Sequence, residues 1–354
     1  MNESAFPTAG LKIVEVPSKV AQRPKRVVKT ALNWVKFRLP TAALIGTPIL
    51  QSLNERCCID LVFAHFGTCG IRILPACEKL NLPLVTMLHG CDMGSWLASW
   101  SYRNSLKRLF SRGRMFVVAT DFMRRRAMSL GCEDRKLHVI PECPVPAEGR
   151  EANIESVRTS EDVTTFLHVG RLHEQKGILF SIRAFAIVHR SIRRTRFVII
   201  GDGPQREQAE ELVRDLQLEP SVFFKGALPF SAVSENLRAA DVYVIHSMTT
   251  PSGDTEGFGV SLAEASGAGL PVVATRHNGF PEVVLHGETG MLVDEGDVEG
   301  MAAAMMSLAR SPALRACMGN AGTRYMRERF SLDAISSKYA ELFEAVQVHH
   351  SSSR

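Results

Sequence analysis

The chain has 354 residues, of which 45% are apolar and 22% are charged, and its formal net charge is +5. A single hydrophobic core stops growing near ~250–300 residues, so this length predicts two domains. The composition excludes disordered and collagen-like classes, and no apolar run approaches the ~18–20 residues that a membrane helix requires. The first residues lack the sections of a signal peptide, which predicts a cytoplasmic protein.

Basic residues are concentrated in the first part of the chain. Up to residue 155 there are 22 Lys and Arg against 13 Asp and Glu, a net of +9, and the remainder has 20 against 24, a net of −4. Every charged residue between Val16 and Asn54 is basic, and a second basic group lies at 103–126. A solvated basic face is one interpretation and attraction to an anionic surface is the other. Because Trp34 and Phe37 are interleaved with the first group, membrane headgroups are favoured over nucleic acid.

Ten short apolar or β-branched segments predict strands, and the six that follow residue 162 are predicted to be buried on both faces. The segments, in chain order, are 61–66, 82–88, 115–120, 137–141, 165–170, 196–201, 222–226, 242–246, 271–275 and 291–294. Helical periodicity separates most of them, so the alternation predicts right-handed βαβ units and parallel, doubly wound sheets. The segment 144–162 lacks periodicity and predicts a linker, and a final helix is predicted over 333–346.

These patterns predict an N-terminal basic domain at 1–155, a second domain at 156–330, and a C-terminal helix and tail at 331–354 that packs back toward the first domain. Ligands of open α/β sheets bind beyond the carboxyl ends of the strands. Two Rossmann-type domains that face a cleft would therefore place their functional residues just after the strands.

The segment 250–275 carries glycines and carboxylates directly after a predicted strand. Gly257 and Gly259 leave backbone N–H groups unobstructed at the start of a helix predicted over 258–266, which favours anion binding. Glu264 lies among apolar residues of this helix, where a ribose diol would satisfy its carboxylate, and Glu256 would then lie near a sugar. Alternatively, Glu256 caps the helix and Glu264 meets an internal cation.

Two cations follow the first strand of the second domain. Arg171 and Lys176 lie on a loop that begins at Gly170, where they would neutralise a diphosphate and stabilise it as a leaving group. Positions on an ordinary surface loop are the alternative. The GDGP segment at 201–204 lacks the third glycine of a dinucleotide fingerprint, because Arg206 stands there, and is interpreted as a strand-to-helix turn.

Three residues of the first domain also follow predicted strands. His89 is either a satisfied structural residue or a contact to a reacting sugar. Asp92 would orient His89, bind acceptor or sugar hydroxyls, or cap the next helix. Gly67 would offer its backbone to the donor phosphates.

Taken in order, these segments resemble the retaining glycosyltransferases of family 4, which have the two-domain GT-B architecture. The resemblance rests on GRL and KG at 170–177, GDGP, E-x7-E at 256–264, NGFPEVV at 278–284 and HGETGMLV at 286–293. Residues 1–55 lack the opening strand and Gly-rich loop of the family, and FPTAG at 6–10 is a poor match. Either the first domain lacks its initial βα unit or the true start lies upstream.

The resemblance implies a nucleotide-diphosphate sugar as donor and a saccharide or lipid-linked acceptor, in exopolysaccharide assembly. It places Arg171 and Lys176 at the diphosphate, Glu264 at the ribose and His89 near the anomeric carbon. It places the donor sugar or phosphate beside Glu256, Gly257, Phe258, Gly259 and Val260.

Retention of the anomeric configuration requires either a covalent carboxylate intermediate or attack from the face that the diphosphate leaves. No carboxylate is evidently placed as the nucleophile in the first domain, so same-face attack is favoured. There is no DxD motif and no His/Cys cluster at metal spacing, so transfer without a metal or another cofactor is predicted. A non-catalytic nucleotide-sugar-binding homologue is the main alternative, followed by a dehydrogenase, an epimerase or a phosphorylase. The expected location is the cytoplasm, peripheral to the inner face of the membrane, with no nucleic-acid partner.

Overall fold

The computed structural model of the chain describes residues 41–144 and 163–351. The predicted linker after Pro144, the FPTAG segment and most of the first basic group lie outside the described residues. The chain divides into two compact units. The first unit extends to Pro141 and resumes at Leu332, and the second extends from Glu142 to Ser331.

The first unit contains a sheet of four parallel strands. The strands are β1 (Val62–His65), β2 (Leu84–Met87), β3 (Met115–Val118) and β4 (Leu137–Val139). They neighbour one another in chain order, β1-β2-β3-β4. Since each right-handed crossover moves the chain the same way, the described strands form one half of a doubly wound arrangement.

Helices connect these strands, and their ends follow local sequence signals. The helices are α1 (Thr41–Cys57), α2 (Gly67–Leu80), α3 (Trp100–Arg112) and α4 (Asp121–Ser129). The Ser99 hydroxyl accepts the N–H of Tyr102 at 3.3 Å, and the Thr120 hydroxyl accepts the N–H of Met123 at 3.2 Å. These bonds satisfy N–H groups that have no partner within the helix and so set where α3 and α4 begin. Short 3₁₀ turns at Gly90–Met93, Ser95–Ala98 and Asp134–Lys136 were not predicted.

The second unit contains a sheet of six parallel strands. They are β5 (Thr164–Val169), β6 (Thr195–Ile200), β7 (Val222–Phe224), β8 (Val242–Ile245), β9 (Val272–Thr275) and β10 (Gly290–Val293). Their order is β10-β9-β8-β5-β6-β7, so the winding direction reverses between β5 and β8. The doubly wound sheet predicted for this half is confirmed. The loops that follow β5 and β8 leave the sheet at the point where its ligands bind.

The helices of the second unit cover this sheet. They are α5 (Ile178–Ser191), α6 (Arg206–Asp215), α7 (Phe230–Ala239), α8 (Val260–Gly267), α9 (Val298–Arg310) and α10 (Pro312–Phe330), with 3₁₀ turns at Glu174–Lys176 and Phe280–Glu282. Helix α5 packs against α6 and α9, and α8 packs against α10. Met301 and Met305 of α9 are fully buried in the main core cluster, which confirms their predicted role as core residues.

The last helix, α11 (Leu332–Ser351), belongs to the first unit and is longer than predicted. The Phe63 ring of β1 packs edge to face on Tyr339 and Phe343, with ring centroids 5.6 and 5.5 Å away. The Tyr339 hydroxyl also donates to the sulfur of Met87 at 3.5 Å. Within the described ranges, no helix has both the length and the apolar character that crossing a bilayer demands.

Candidate functional site

The loops after β5 and β8 touch at the switch point of the second sheet. Gly177 ends the loop after β5 with φ 56°, a conformation that favours glycine. A Cβ at Gly177 would lie only 1.9 Å from the carbonyl oxygen of His246, so a side chain there would force the loops apart. Glycine therefore allows the close approach that brings Lys176 to the loop after β8.

Lys176 and Glu256 form an ion pair between these two loops. The Lys176 ammonium donates to Glu256 Oε2, and only 12% and 20% of the two side chains are exposed. The stem of Lys176 lies beside Gly170, with its Cδ 3.8 Å from the point that a Cβ on Gly170 would occupy. Lys176 is thus not an ordinary surface residue. Arg171 is exposed, and its guanidinium has no hydrogen-bond or ion-pair partner among the described residues.

Glu256 does not cap a helix, because α8 begins at Val260, two residues later than predicted. Gly259, the residue before α8, has φ 84°, and a Cβ there would lie 2.6 Å from the buried Phe280 ring. Phe258 is itself buried, so only its backbone is available to a ligand. The amide groups at Val260 and Ser261, in the first turn of α8, have no partner within the helix. They supply the positive end of the α8 dipole beside the Lys176–Glu256 pair.

Two residues that sequence reasoning missed hold the backbone of Glu256. The N–H of Glu256 donates to His277 Nε2 at 3.1 Å, and the Asn278 side-chain amide donates to the Glu256 carbonyl at 2.9 Å. His277 is fully buried. Both residues follow β9, and the polar pair directly after a buried strand was the signal that could have identified them.

Glu264 is a partly buried carboxylate on α8. Burial raises its pKa from 4.5 to about 7. Its carboxylate has no hydrogen-bond or ion-pair partner among the residues that the structure describes, so the proposed internal cation is not there. Burial raises the pKa of Tyr243, and the charge of Glu264 adds to that shift. The Tyr243 hydroxyl donates to the Val169 carbonyl at the end of β5. A carboxylate without a partner beside the switch point can accept two hydroxyl groups of a vicinal diol.

His168, near the end of β5, is a second polar group that the sequence analysis did not identify. Its Nδ1 lies 3.2 Å from the Val244 carbonyl, which can only accept, so Nδ1 carries the hydrogen. Its Nε2 is buried and without a partner among the described residues, and it lies 3.5 Å from the point where a Cβ on Gly170 would be. Burial and the nearby Lys176 lower the pKa of His168 to about 4, so the ring stays neutral and its Nε2 can accept a hydrogen bond from a ligand.

The GDGP segment is structural, as interpreted from the sequence. A Cβ at Gly201 would lie 1.8 Å from the carbonyl oxygen of Gly170, and the N–H of Leu172 donates to the Asp202 carbonyl at 3.0 Å. Pro204 lies in the turn before α6 rather than in its first helical turn. The segment thus supports the loop that carries Arg171 and Lys176.

In the first unit, the structure changes the roles predicted for Asp92 and Gly67. Asp92 is fully buried, and its carboxylate accepts the N–H of Gly67 at 2.9 Å, the N–H of His89 at 2.9 Å and the Tyr102 hydroxyl at 2.7 Å. Asp92 therefore cannot present its carboxylate to an acceptor or a sugar. The Gly67 N–H is likewise committed to Asp92 and does not face a phosphate. Asp92 ties the loops after β1 and β2 together.

His89 is predicted to contact a sugar, but its Nε2 is buried in this structure. It lies just after β2 and is partly buried, and its ring nitrogen accepts the N–H of Asp92 in a reciprocal capping arrangement. The other ring nitrogen of a neutral His89 therefore carries the hydrogen and is a donor. The Phe66 ring lies 4.2 Å from the His89 ring, centroid to centroid. The predicted residues thus form two groups, one in each unit.

Two family models match the chain, one in each half. The model of glycosyl transferases group 1 matches residues 149–325, and the model of glycosyltransferase family 4 matches residues 14–143. The first match covers half of the chain and includes Arg171, Lys176, Glu256 and Glu264. The second match includes Gly67, His89 and Asp92.

Individual proteins show the same similarity. A protein of Salmonella typhimurium named as the colanic acid biosynthesis glycosyltransferase WcaL is 29% identical over 89% of this chain and 78% of its own length. The amylovoran biosynthesis glycosyltransferase AmsK of Erwinia amylovora is 29% identical over 78% of this chain and 68% of its own.

Among solved structures, HepE of Anabaena in complex with UDP has a TM-score of 0.73 at 21% identity, covering 89% of this chain and 84% of HepE. This likeness shows the fold, which is the GT-B arrangement of two Rossmann-like domains. The chain therefore belongs to the group 1 glycosyltransferases of glycosyltransferase family 4.

Proposed function

We propose that this glycosyltransferase moves a sugar from a nucleotide-diphosphate donor to a saccharide or lipid-linked acceptor, with retention of the anomeric configuration. The observation that carries the proposal is the Lys176–Glu256 pair at the switch point of the second sheet, beside the start of α8 and an unpartnered Glu264. A cation, helix amides and a free carboxylate are the groups that a diphosphate and a ribose require. The UDP that HepE holds is consistent with such a donor.

The second unit supplies the groups for the donor. The diphosphate would lie between Lys176 and the first turn of α8, with Arg171 free to swing toward it from the loop after β5. The ribose hydroxyls would donate to Glu264. A bound diphosphate would compete with Glu256 for Lys176, which would release the Glu256 carboxylate to accept hydroxyls of the donor sugar.

The same groups account for departure of the diphosphate. As the bond between the anomeric carbon and the phosphate oxygen breaks, negative charge grows on the diphosphate, and Lys176, Arg171 and the α8 amides stabilise it. The acceptor hydroxyl would attack from the same face and pass its proton to the departing phosphate oxygen, so that no separate base is needed. We propose that these groups carry out transfer without a metal ion. His89, as a hydrogen-bond donor, would contact the sugar near the anomeric carbon.

The names of two relatives support the proposed acceptor, and the basic residues of α3 support the proposed location. WcaL and AmsK are named for exopolysaccharide synthesis, and we propose an acceptor of that class on the inner face of the membrane. Helix α3 exposes Trp100, Arg103, Lys107 and Arg108 and contains no acidic residue. Such a face attracts anionic lipid headgroups. We expect salt-sensitive binding to anionic vesicles, and equal binding to neutral vesicles would refute the membrane proposal.

The proposal is tested by transfer assays with UDP-sugars and GDP-sugars, because the base is not fixed by the residues described. We expect transfer to persist in EDTA, product with the donor's anomeric configuration by NMR, and a loss of about 100-fold or more in kcat/KM for Lys176→Met. The exposed Arg190→Met, which lies on α5 away from the switch point, is the matched control. Donor binding without turnover on any saccharide or lipid-linked acceptor would refute the catalytic proposal.

A further inference from the structure

We propose that His277 is a positioning residue that fixes the backbone of Glu256. In this proposal Glu295 holds the tautomer of His277. The proposal rests on the function proposed above for Glu256, namely contact with the donor sugar. Its observations are the hydrogen bonds that reach one buried imidazole from the loops after β8 and β10. None of them involves a ligand.

The hydrogen bonds determine which ring nitrogen of His277 carries the hydrogen. The N–H of Glu256 can only donate, so His277 Nε2, 3.1 Å away, must be the unprotonated nitrogen. The Nδ1 lies 2.6 Å from Glu295 Oε1, and a carboxylate can only accept, so Nδ1 carries the hydrogen. The Thr255 hydroxyl, 3.0 Å from Nε2, is also placed to donate. The neutral Nδ1–H tautomer is therefore the form that satisfies every partner.

Glu295 connects this imidazole to the loop after β10 and to the beginning of the loop after β8. Its second carboxylate oxygen accepts the N–H of Thr249 at 2.9 Å. Thr249 follows β8, His277 follows β9 and Glu295 follows β10, and these three strands are neighbours in the sheet. One carboxylate thus fixes the ring from the side opposite Glu256. His277 is fully buried, and an unsatisfied polar group there would be costly.

The backbone of Glu256 is held at both its N–H and its carbonyl group. His277 takes its N–H, and the Asn278 amide donates to its carbonyl at 2.9 Å. Asn278 has φ 46°, a left-handed conformation that asparagine tolerates better than most residues. With the backbone fixed, the Glu256 side chain is directed at Lys176. A backbone free to rotate would lose this direction, and the carboxylate would reach the sugar in fewer of its conformations.

Two variants of nearly equal size separate positioning from simple packing. In His277→Gln the side-chain oxygen reaches the place of Nε2 and can still accept the Glu256 N–H. In His277→Asn the shorter amide reaches only the place of Nδ1, so it can still donate to Glu295 but leaves the Glu256 N–H without an acceptor. A positioning role predicts that the Glu256 amide is exposed to exchange in His277→Asn and protected in His277→Gln. A packing role predicts that His277→Asn differs from His277→Gln only through the smaller volume of its side chain.

The first measurement needs no turnover. Hydrogen exchange of the Glu256 amide is expected to be at least 10-fold faster in His277→Asn than in the wild-type protein and within about threefold of wild type in His277→Gln. Equal exchange in all three proteins would overturn the proposal. Should His277→Asn fail to fold, the wild-type protein decides alone, because nitrogen-15 NMR reports the tautomer. The Nδ1–H form supports the proposal, and an Nε2–H form or a charged ring overturns it.

The second measurement separates this inference from the proposed function. For His277→Asn we expect the Kd of the nucleotide sugar to rise about 10-fold and kcat to fall, with the Kd of the bare nucleoside diphosphate within about threefold of wild type. In a Glu256→Ala background the His277→Asn change should have no further effect on kcat. An equal additional loss would overturn positioning through Glu256. If the wild-type enzyme transfers no sugar, the proposed function fails, and hydrogen exchange still decides the role of His277.

Discussion

Glu264 shows how burial sets the chemistry of a single residue. Its neighbours Leu262, Ala263 and Ala265 are buried, and desolvation raises the pKa of its carboxyl to about 7. Near neutral pH the residue is therefore close to half ionised in the ligand-free protein. Hydroxyl groups that donate to the ionised form would stabilise that form, so a bound diol and a carboxylate favour each other.

The first prediction concerns the free energy of unfolding of Glu264→Gln. In the unfolded chain the carboxyl loses its proton near pH 4.5, and in the folded protein it keeps the proton to about pH 7. Between these values the folded state binds more protons, so rising pH lowers the stability of the wild type. The variant lacks this titration. Its stability relative to wild type should therefore rise from pH 4.5 to 7, by roughly 1–3 kcal/mol after allowance for partial exposure.

Urea unfolding of both proteins from pH 4 to 8 measures this difference. Outside the window between the two pKa values, the two stability curves should run parallel. A difference that does not change between pH 4.5 and 7 would show that Glu264 ionises normally and would contradict the role of burial.

The residue types in the sequence predicted which charged side chains belong to the candidate site. They did not predict which of these side chains form ion pairs with one another. Lys176, Glu256 and Glu264 were found from their positions after strands or within a glycine-led helix. That Lys176 meets Glu256 depends on β5 lying beside β8, and strand order is set by long-range packing that local patterns do not reveal. Of the roles predicted for Asp92, the structure supports capping and not contact with an acceptor or sugar, because donors from separate segments, including Tyr102, occupy its carboxylate.

At the scale of elements, the start of α8 depends on Gly259. This residue has φ 84°, and the space where a Cβ would lie is occupied by the Phe280 ring. The backbone turn and the ring together place the first amides of α8 beside Lys176. The predicted start at Phe258 was two residues early, because apolar periodicity does not show a left-handed residue at the boundary.

A second prediction compares Gly259→Ala with Gly253→Ala. The two glycines have nearly the same φ, 84° and 80°, but nothing lies within 4 Å of a Cβ built at Gly253. Gly253→Ala should lower the free energy of unfolding by about 1–2 kcal/mol, which is the cost of the left-handed conformation. Gly259→Ala must also displace Phe280 and should cost about 2–4 kcal/mol. Denaturant unfolding measures both values, and equal losses would show that the ring moves aside freely.

The strands were the most predictable elements. All ten predicted segments overlap a strand, because β-branched and apolar runs carry a strong local signal. Burial on both faces was wrong for β7 and β10, which lie at the edges of the second sheet and are partly exposed. The short 3₁₀ turn at Gly90–Met93 was missed, since three or four residues have no periodicity to read. It forms where His89 and Asp92 cap each other and where the Asp92 carboxylate also accepts the Gly67 N–H and the Tyr102 hydroxyl, which are long-range contacts.

At the scale of the whole molecule, the second unit is one continuous stretch, Glu142–Ser331, with its own core. It also contains Arg171, Lys176, Glu256, Glu264 and the His277 network. A contiguous unit with a complete core is expected to fold without the rest of the chain.

The third prediction follows from this organisation. Residues 142–331 produced alone should unfold cooperatively and bind a nucleoside diphosphate with a Kd within about threefold of that of the whole chain, which is less than 1 kcal/mol. Calorimetry on both proteins measures the two constants, and Lys176→Met in the fragment is the control for site-specific binding. A fragment that folds but binds more than tenfold more weakly would show that the first unit supplies part of the nucleotide site.

Because α11 belongs to the first unit, that unit is built from two separate stretches of the chain. Its Tyr339 and Phe343 complete the packing around Phe63 on β1, although 275 or more residues separate them along the chain. During synthesis these aromatic rings emerge from the ribosome only after the second unit has emerged. We therefore expect the second unit to reach its native state first, while one flank of β1 stays uncovered until α11 has left the exit tunnel.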